Sequence, residues 1–270
     1  MKELCELLGV SRSAYYQRPN LQSVRKLEDE ELQPIVRSVF LQHRRRYGSR
    51  RIALELQSMG YTCSRSRARK IMVQMDLIAI QPRSFKPRTT NSTHRLGFSP
   101  NLLAEGFELR QVNQVWVGDI TYIGLGRQFA YLAVLMDLYS RRIIAWAIDE
   151  NMSEHLTIQT LRRALAARQP TPGVIHHSDR GGQYASTNYR QLLDGAQMRQ
   201  SMSRAGDCYD NAFMESCFGT MKTEMEMETY ESLEHARREI EEYVNYYNAI
   251  RRHSSLDYRS PNNFELALSK

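Results

Sequence analysis

Beyond residue 110 the chain takes on a pattern that suits a β-sheet. "VWVGDITYIGL" (115–125), "FAYLAVLMDLY" (129–139) and "RRIIAWAID" (141–149) are three apolar runs separated by a few turn residues. That spacing predicts an antiparallel meander. "SEHLTIQTLRRALAARQ" then carries Leu156, Ile158, Leu161 and Leu165 at helical spacing. "GVIHHSD" follows as a fourth strand reached through that helix, and "NYRQLLDGAQM" as a short helix. "RQSMS" is a fifth strand, and "DNAFMESCFGTMKTEM" a helix capped by Asp210 or Asn211. Three hairpin strands followed by alternating helices and strands make a mixed α/β sheet with helical cover.

The front of the chain reads as helical. "KELCELLG" places Leu4, Leu7 and Leu8 on one face, Gly9 turns, and Ser11 caps "RSAYYQ", a pair resembling helix-turn-helix but too short to stand by itself. A longer helix over 24–44 is expected to be interrupted at Pro34. Ser49 is read as the cap of "RRIALELQSMG", which Gly60 closes, and Ser64 as the cap of "RSRARKIMVQMDL". In the last helix Ala68, Ile71, Met72 and Met75 form one apolar stripe, leaving Arg65, Arg69 and Lys70 off it. Such a helix is either a major-groove reader or one member of a small bundle with incidental arginines. Residues 79–110, rich in Pro, Ser, Thr and Arg, read as a basic linker.

Charge supports a polyanion partner for the front half. Residues 1–110 hold 20 Lys and Arg against 10 Asp and Glu, whereas 111–270 hold 17 against 20, so the net +7 comes entirely from the first part. Arg46, Arg50 and Arg51 in "HRRRYGSRR" join Arg65, Arg69 and Lys70 as candidate DNA contacts, and Arg251 and Arg252 form a second basic spot after the C-terminal helix. The longest apolar run, "FAYLAVLM", is too short to span a membrane. Cys5, Cys63, Cys208 and Cys217 make no C-x-x-C pair and read as free thiols of a reducing cytoplasm.

Three acids stand out by placement: Asp119 inside the first strand, Asp179 ending the fourth, and Glu215 on the helix after the fifth. Burying an acid beside strand residues is costly unless it is paired or metal-bound, so three on adjacent elements suggest a hard-cation site. "HHSDRGGQY" allows two readings of Asp179: a plain strand-to-loop turn, or a carboxylate held on a rigid element with glycines leaving room for something bulky. Asp137, Asp149 and Asp194 fall at strand ends or in turns and read as structural.

"WVGDITYI", "HHSDRGGQY" and "DNAFMESCFGTMKTE" resemble the catalytic motifs of DDE transposases and retroviral integrases, with 59 residues between the first two acids and 35 between the last two. The nearest likeness is to bacterial transposases of the insertion-sequence-three group. "RRYGSRRI", "YLAVLMDLYSRRIIAWAI" and "YVNYYNAIRRHSSLDYRSPNNF" extend it over nearly the whole chain. The His-His-Cys-Cys zinc module of retroviral integrases is absent from the sequence.

The resemblance implies an organisation of α and α/β parts. Residues 1–20 would be a partial helix-turn-helix, 21–78 a helical DNA-binding domain, 79–110 a basic linker, 111–228 an RNase H-like catalytic core, and 229–270 a C-terminal helix and basic tail. It implies two Mg²⁺ ions, replaceable by Mn²⁺, with Asp119 bridging both while Asp179 and Glu215 each hold one. His177 and Tyr184 would support the site, or else are packing and loop residues. Lys222, which shares a helix face with Glu215 and Phe218, would touch DNA near the cut; the competing reading is a solvated lysine. The implied partners are double-stranded DNA, both the element's terminal inverted repeats and its target, and further copies of the chain on that DNA. An upstream-frame fusion or partner protein is also implied. The implied location is the bacterial cytoplasm, on the nucleoid. The competing functions are an RNase H-like nuclease without strand transfer and a DNA-binding repressor derived from a transposase.

Overall fold

The computed structural model describes residues 2–11, 21–82, 97–103, 107–204, 212–226 and 229–268. The chain divides into two compact units, 1–80 and 81–270.

In the first unit, α1 (Lys2–Leu7) is followed by α2 (Leu21–Gln42), α3 (Ser49–Ser58) and α4 (Arg65–Gln74). Leu32, Val36, Val39 and Phe40 of α2 are buried with Ile52, Ala53 and Leu56 of α3 and Ala68, Ile71 and Met72 of α4. Helix α2 runs through Pro34 without the expected break. Pro34 is on the solvent side, as is Glu30, whose carbonyl loses its helical partner and can bond water instead. Ser49 is the first helical residue of α3, and Gly48 occupies the cap position without a side-chain bond. Ser64 does cap α4: its Oγ accepts from the Arg67 N–H at 3.2 Å. The leucine face foreseen for α1 is not buried, since Leu4, Leu7 and Leu8 are all exposed while Cys5 is covered. The second helix expected over "RSAYYQ" lies outside the described residues.

The second unit is a sheet covered on both faces. Strands β1 (Val115–Leu125), β2 (Gln128–Asp137) and β3 (Ile143–Asp149) form the expected antiparallel meander. Helix α5 (Glu154–Arg168) carries the chain to β4 (Ile175–Ser178), parallel to β1. Helices α6 (Gly182–Ala185) and α7 (Thr187–Gly195) lead to β5 (Arg199–Met202), parallel to β4. The strand order is β3-β2-β1-β4-β5. Helix α8 (Ala212–Glu224) and α9 (Leu233–Ala249) follow, then a short 3-10 turn at Ser254–Leu256 and α10 (Pro261–Leu268). The Asp210/Asn211 cap foreseen for α8 falls outside the described residues.

Alternation along β1 assigns each face its helices. Val115, Val117 and Ile123 face a core built with Met214, Cys217, Phe218 and Met221 of α8 and Ala236, Ile240, Tyr243, Val244 and Tyr247 of α9. Trp116 faces the other way, toward Leu161 and Ala164 of α5 and Tyr184, Tyr189 and Leu193 of α6 and α7. Part of the stretch read as linker belongs to this unit: Leu102, Leu103, Phe107 and Leu109 pack on the first core, and the Leu102 N–H donates to Ser201 Oγ at 2.9 Å. Asp137 is structural, as its position suggested. Fully buried, it accepts from the N–H groups of Asn113 (2.6 Å), Tyr139 (3.0 Å) and Ser140 (2.9 Å). Among the described residues no helix is long and apolar enough to cross a membrane.

Candidate active site

Parallel pairing brings two of the three acids together. Strands β1 and β4 pair in register through Gly118 and Ser178, so Asp119 and Asp179 stand one step further on, side by side. Asp119 lies on β1 and Asp179 directly follows β4, on neighbouring strands about 4.8 Å apart. By alternation both lie on the face that carries α8. Each is partly exposed. Asp119 Oδ1 accepts from the Ile120 N–H at 2.8 Å, and Asp179 Oδ1 from the Gly181 N–H at 2.9 Å.

The surroundings hold these carboxylates in place. A Cβ on Gly181 would lie 3.0 Å from Asp179 Oδ1, so glycine is what lets that carboxylate fold back over its own turn. Tyr184 is buried, and burial raises its pKa far above the ordinary phenol value; Tyr189 and the charges of Asp119 and Asp179 push it further up. A neutral phenol thus sits where the fields of both aspartates overlap. Gly118 admits it: a Cβ there would meet His176 Nε2 and Leu135 Cδ1 at 3.1 Å and Tyr184 Oη at 3.5 Å. His177 Nδ1 and Ser201 Oγ bond at 2.8 Å, tying β4 to β5 directly before Asp179. Arg180 is held by the Ser203 carbonyl (2.8 Å) and stacks over Phe98 at 4.7 Å.

Lys222 reaches the same region from α8. Its ammonium lies 4.5 Å from the centre of the Tyr122 ring, and burial lowers its pKa while the Asp119 carboxylate works the other way. This is a half-buried cation beside the acid, not the solvated lysine of the competing reading. Glu215 is different. It occupies the first turn of α8 and is exposed. Among the described residues no group of three or more His, Cys, Asp or Glu side chains is gathered closely enough to hold a metal ion. Asp119 and Asp179 follow each other across the paired strands β1 and β4, and Glu215 stands exposed on the helix packed against that face.

A hard divalent cation suits the pair. Two carboxylates lie side by side and partly open to solvent, and a glycine backs one of them. Oxygen donors of this kind match Mg²⁺ or Mn²⁺.

The proposed DNA contacts fall into separate classes. Arg65, Arg69 and Arg50 are exposed, and Arg46 is half-buried. Arg51 stacks over Tyr47 at 5.4 Å. Lys70 is exposed but paired: its Nζ lies 3.0 Å from Asp29 Oδ2, and Arg67 takes Asp29 Oδ1 at 2.7 Å and Glu28 at 3.0 Å. Arg67 and Lys70 therefore join α4 to α2, a role the sequence did not disclose. The expectation for Arg251 is overturned. It is 4 % exposed and grips Glu224 through Nε at 2.9 and 2.7 Å and through its terminal nitrogen at 2.7 Å. An arginine so enclosed has no surface to offer a phosphate. Arg252 is half-buried against the Tyr258 carbonyl at 3.4 Å. One signal for the Arg251 pair was readable: Glu224 continues the apolar stripe of α8 three residues after Met221, where an acid needs a buried partner.

A meander of three antiparallel strands extended by two parallel strands, with aspartates side by side on the central pair, defines an RNase H-like core of the polynucleotidyl-transferase class. The sequence comparisons agree. Integrase core domain models match residues 110–208 and 196–261, and an HTH-like domain model matches 26–85. The chain is 40 % identical over 261 residues to the insertion element IS600 uncharacterized 31 kDa protein of Shigella sonnei, covering 96 % of each chain. It is 38 % identical to the transposase for insertion sequence element IS904 of Lactococcus lactis, covering 93 % of this chain and 98 % of that one. It is 37 % identical to the transposase InsF for insertion sequence IS3A of Escherichia coli, covering 98 % and 93 %. Among solved structures, the HTLV-2 integrase catalytic core domain in complex with magnesium matches with a TM-score of 0.46 at 13 % identity, over 56 % of this chain and 95 % of that one.

The chain belongs to the family of insertion-sequence transposases with an integrase core domain. Its activity is that of a DDE transposase, an enzyme that acts on DNA with the divalent-metal dependence general to its class.

Proposed function

We propose that this transposase cuts and rejoins the ends of its own insertion sequence, using Asp119, Asp179 and Glu215 as the ligands of two Mg²⁺ ions, with Mn²⁺ able to replace them. The observation that carries the reading is the parallel register of β1 on β4, which ends at Gly118 and Ser178 just before Asp119 and Asp179, with the helix bearing Glu215 packed on the same face. Bound there, the ions would supply Lewis-acid stabilisation of the attacking and leaving oxygens at phosphorus. The nucleophile is water for strand cleavage and then the freed DNA 3′-hydroxyl for strand transfer. In each step one P–O bond forms as another breaks, and the leaving oxygen takes the proton. No protein nucleophile is called for. Tyr184, kept neutral by burial, and His177, fixed by Ser201, hold the strand that presents Asp179. Lys222 supplies a cation to a DNA phosphate or base beside the cut.

In this reading metal and DNA draw the Glu215 side chain to the aspartates while α8 keeps its place, and the site is complete only when both are bound. Residues 21–78 form the DNA-binding domain, with Arg46, Arg50, Arg51, Arg65 and Arg69 toward the backbone. The terminal inverted repeats are the element-specific substrate, the target duplex is the second, and several copies of the chain act together on them. The cellular setting is the bacterial cytoplasm.

The experiment is cleavage of labelled element-end DNA by Asp119→Ala, Asp179→Ala and Glu215→Ala, with and without Mg²⁺. Each variant is expected to lose cleavage and strand transfer while keeping wild-type DNA binding, because affinity resides in the basic front half. Near-wild-type cleavage by any one removes that residue from the site. Cleavage without strand transfer by the wild-type chain would instead identify a nuclease.

A further inference from the structure

Helix α8 carries Glu215 near its start and Glu224 at its end. They lie nine positions apart, which is about 13 Å along the axis and half a turn around it. Glu224 therefore points into the protein when Glu215 points out, as their burial shows. Along its length α8 is held by a stripe of Met214, Cys217, Phe218 and Met221. The stripe decides which face of α8 is buried, and because methionine and cysteine are adaptable it tolerates small rotations and axial shifts within that face.

The far end of the helix is held differently. Glu224 meets the Arg251 guanidinium in three bonds between 2.7 and 2.9 Å, and the Tyr243 hydroxyl donates to its second oxygen at 3.1 Å. Arg251 is itself fixed: its N–H donates to the Tyr246 carbonyl at 2.9 Å, and its guanidinium lies 5.4 Å from the Tyr247 ring centre. Both side chains of the pair are buried, at 5 % and 7 % exposure. Burying two charges is a costly way to stabilise a fold, since an apolar pair of similar volume serves as well or better. What a planar fork on a carboxylate does supply is one geometry. A slip of one residue turns α8 by about 100° and would withdraw Glu224 from the fork. A second contact lies at the other end, where the Arg141 guanidinium stacks over Phe213 at 4.5 Å.

We propose that Arg251 is a positioning residue of the transposase reaction: by clasping Glu224 at the end of α8, it fixes the rotation and axial register of the helix and so aims Glu215 and Lys222 at Asp119. This rests on the proposed role of Glu215. It gives the C-terminal segment a function apart from DNA contact, acting through about 13 Å of helix.

The test replaces the pair by Arg251→Met with Glu224→Met, and separately makes Arg251→Lys, all in the full chain. Four quantities are read: core melting by tryptophan fluorescence, half-saturation by terminal-repeat DNA, single-turnover cleavage at saturating DNA, and Mn²⁺ binding by electron paramagnetic resonance with terminal-repeat DNA bound. Residues that orient metal ligands typically cost about 10- to 100-fold in metal affinity or activity when altered. The methionine pair is accordingly expected to melt near wild type and keep DNA half-saturation within about twofold, while cleavage falls by about tenfold or more and Mn²⁺ binds more weakly. Arg251→Lys, which keeps the charge and loses the fork, is expected to fall between the two. Wild-type cleavage and Mn²⁺ binding in the methionine pair overturns the proposal. If the methionine pair does not fold, Arg251→Lys decides: normal cleavage there, or failure to fold there as well, shows a stability element and overturns it. Glu215→Ala separates the two readings. If Glu215→Ala still cleaves, the assignment of the site has failed; if it is inactive while the methionine pair is active, only the positioning role has failed.

Discussion

Acidification should loosen this core through His176. That residue lies on β4, paired with Trp116 of β1, and is completely buried. Its Nε2 meets the Tyr189 hydroxyl at 2.8 Å, and among the described residues no partner reaches Nδ1. Burial, with the neighbouring His177 adding to it, takes the imidazole from 6.5 down to about 3. Between those values the unfolded chain binds a proton that the folded chain refuses, so stability rises with pH across that window and is lost as pH falls. Lowering the pH from about 7.5 to about 5.5 puts the solution one unit below the unfolded pKa, which costs about 1.4 kcal/mol. The loss at that point is set by the unfolded side of the titration and does not depend on the folded value so long as it stays well below. Out of a total stability on the order of 5–15 kcal/mol this is readily measured. The assay is urea unfolding followed by tryptophan fluorescence, since Trp116 and Trp146 both lie in the sheet. Wild type should lose about 1.4 kcal/mol more than His176→Gln between the two pH values, the other histidines being common to both proteins. Equal losses in the two proteins would refute a buried, neutral His176.

Gly118→Ala is expected to lower the urea midpoint of the same transition by the equivalent of about 1–3 kcal/mol, because its Cβ would meet His176 and Leu135 at 3.1 Å behind Asp119; an unchanged midpoint would show that those groups yield freely. Charge reversal of Arg65 and Arg69 should flatten the salt dependence of DNA binding, each lost phosphate contact removing about 0.9 from the log–log slope, and an unchanged slope would place that face of α4 away from DNA. Lys70 and Arg67 are left out of that variant because they hold Asp29, and reversing them would disturb the contact of α4 with α2 as well as the surface.

The sequence by itself determined the kind of core and its chemistry. Strand runs close together with short turns have few ways to pair other than a meander, and alternation then decides which side chains face inward. The helix after the meander had to carry the chain across the sheet, which makes β4 parallel to its neighbour. Asp119 stood out because strand interiors seldom hold an acid, and the motifs and spacing of all three acids named the family. Composition likewise located the basic half.

Tertiary structure decided what depends on contacts between residues distant in the chain. Pro34 marks a break by local rules, yet α2 continues, because the ring faces solvent and the helix buries four large side chains on its other side. Arg251 and Lys70 look alike in sequence to any basic residue near a helix end; only the positions of Glu224 and Asp29, 27 and 41 residues away, make one a buried clasp and the other a link between helices. The register of β1 on β4 set Asp119 beside Asp179, and neither strand encodes that register alone. Glu215 marks the limit of both. Its spacing placed it with the aspartates, while the fold leaves it exposed on a helix whose rotation is held from the opposite end. A local pattern specifies the face a side chain occupies; where that face points is fixed by whatever buried group the rest of the chain brings against it.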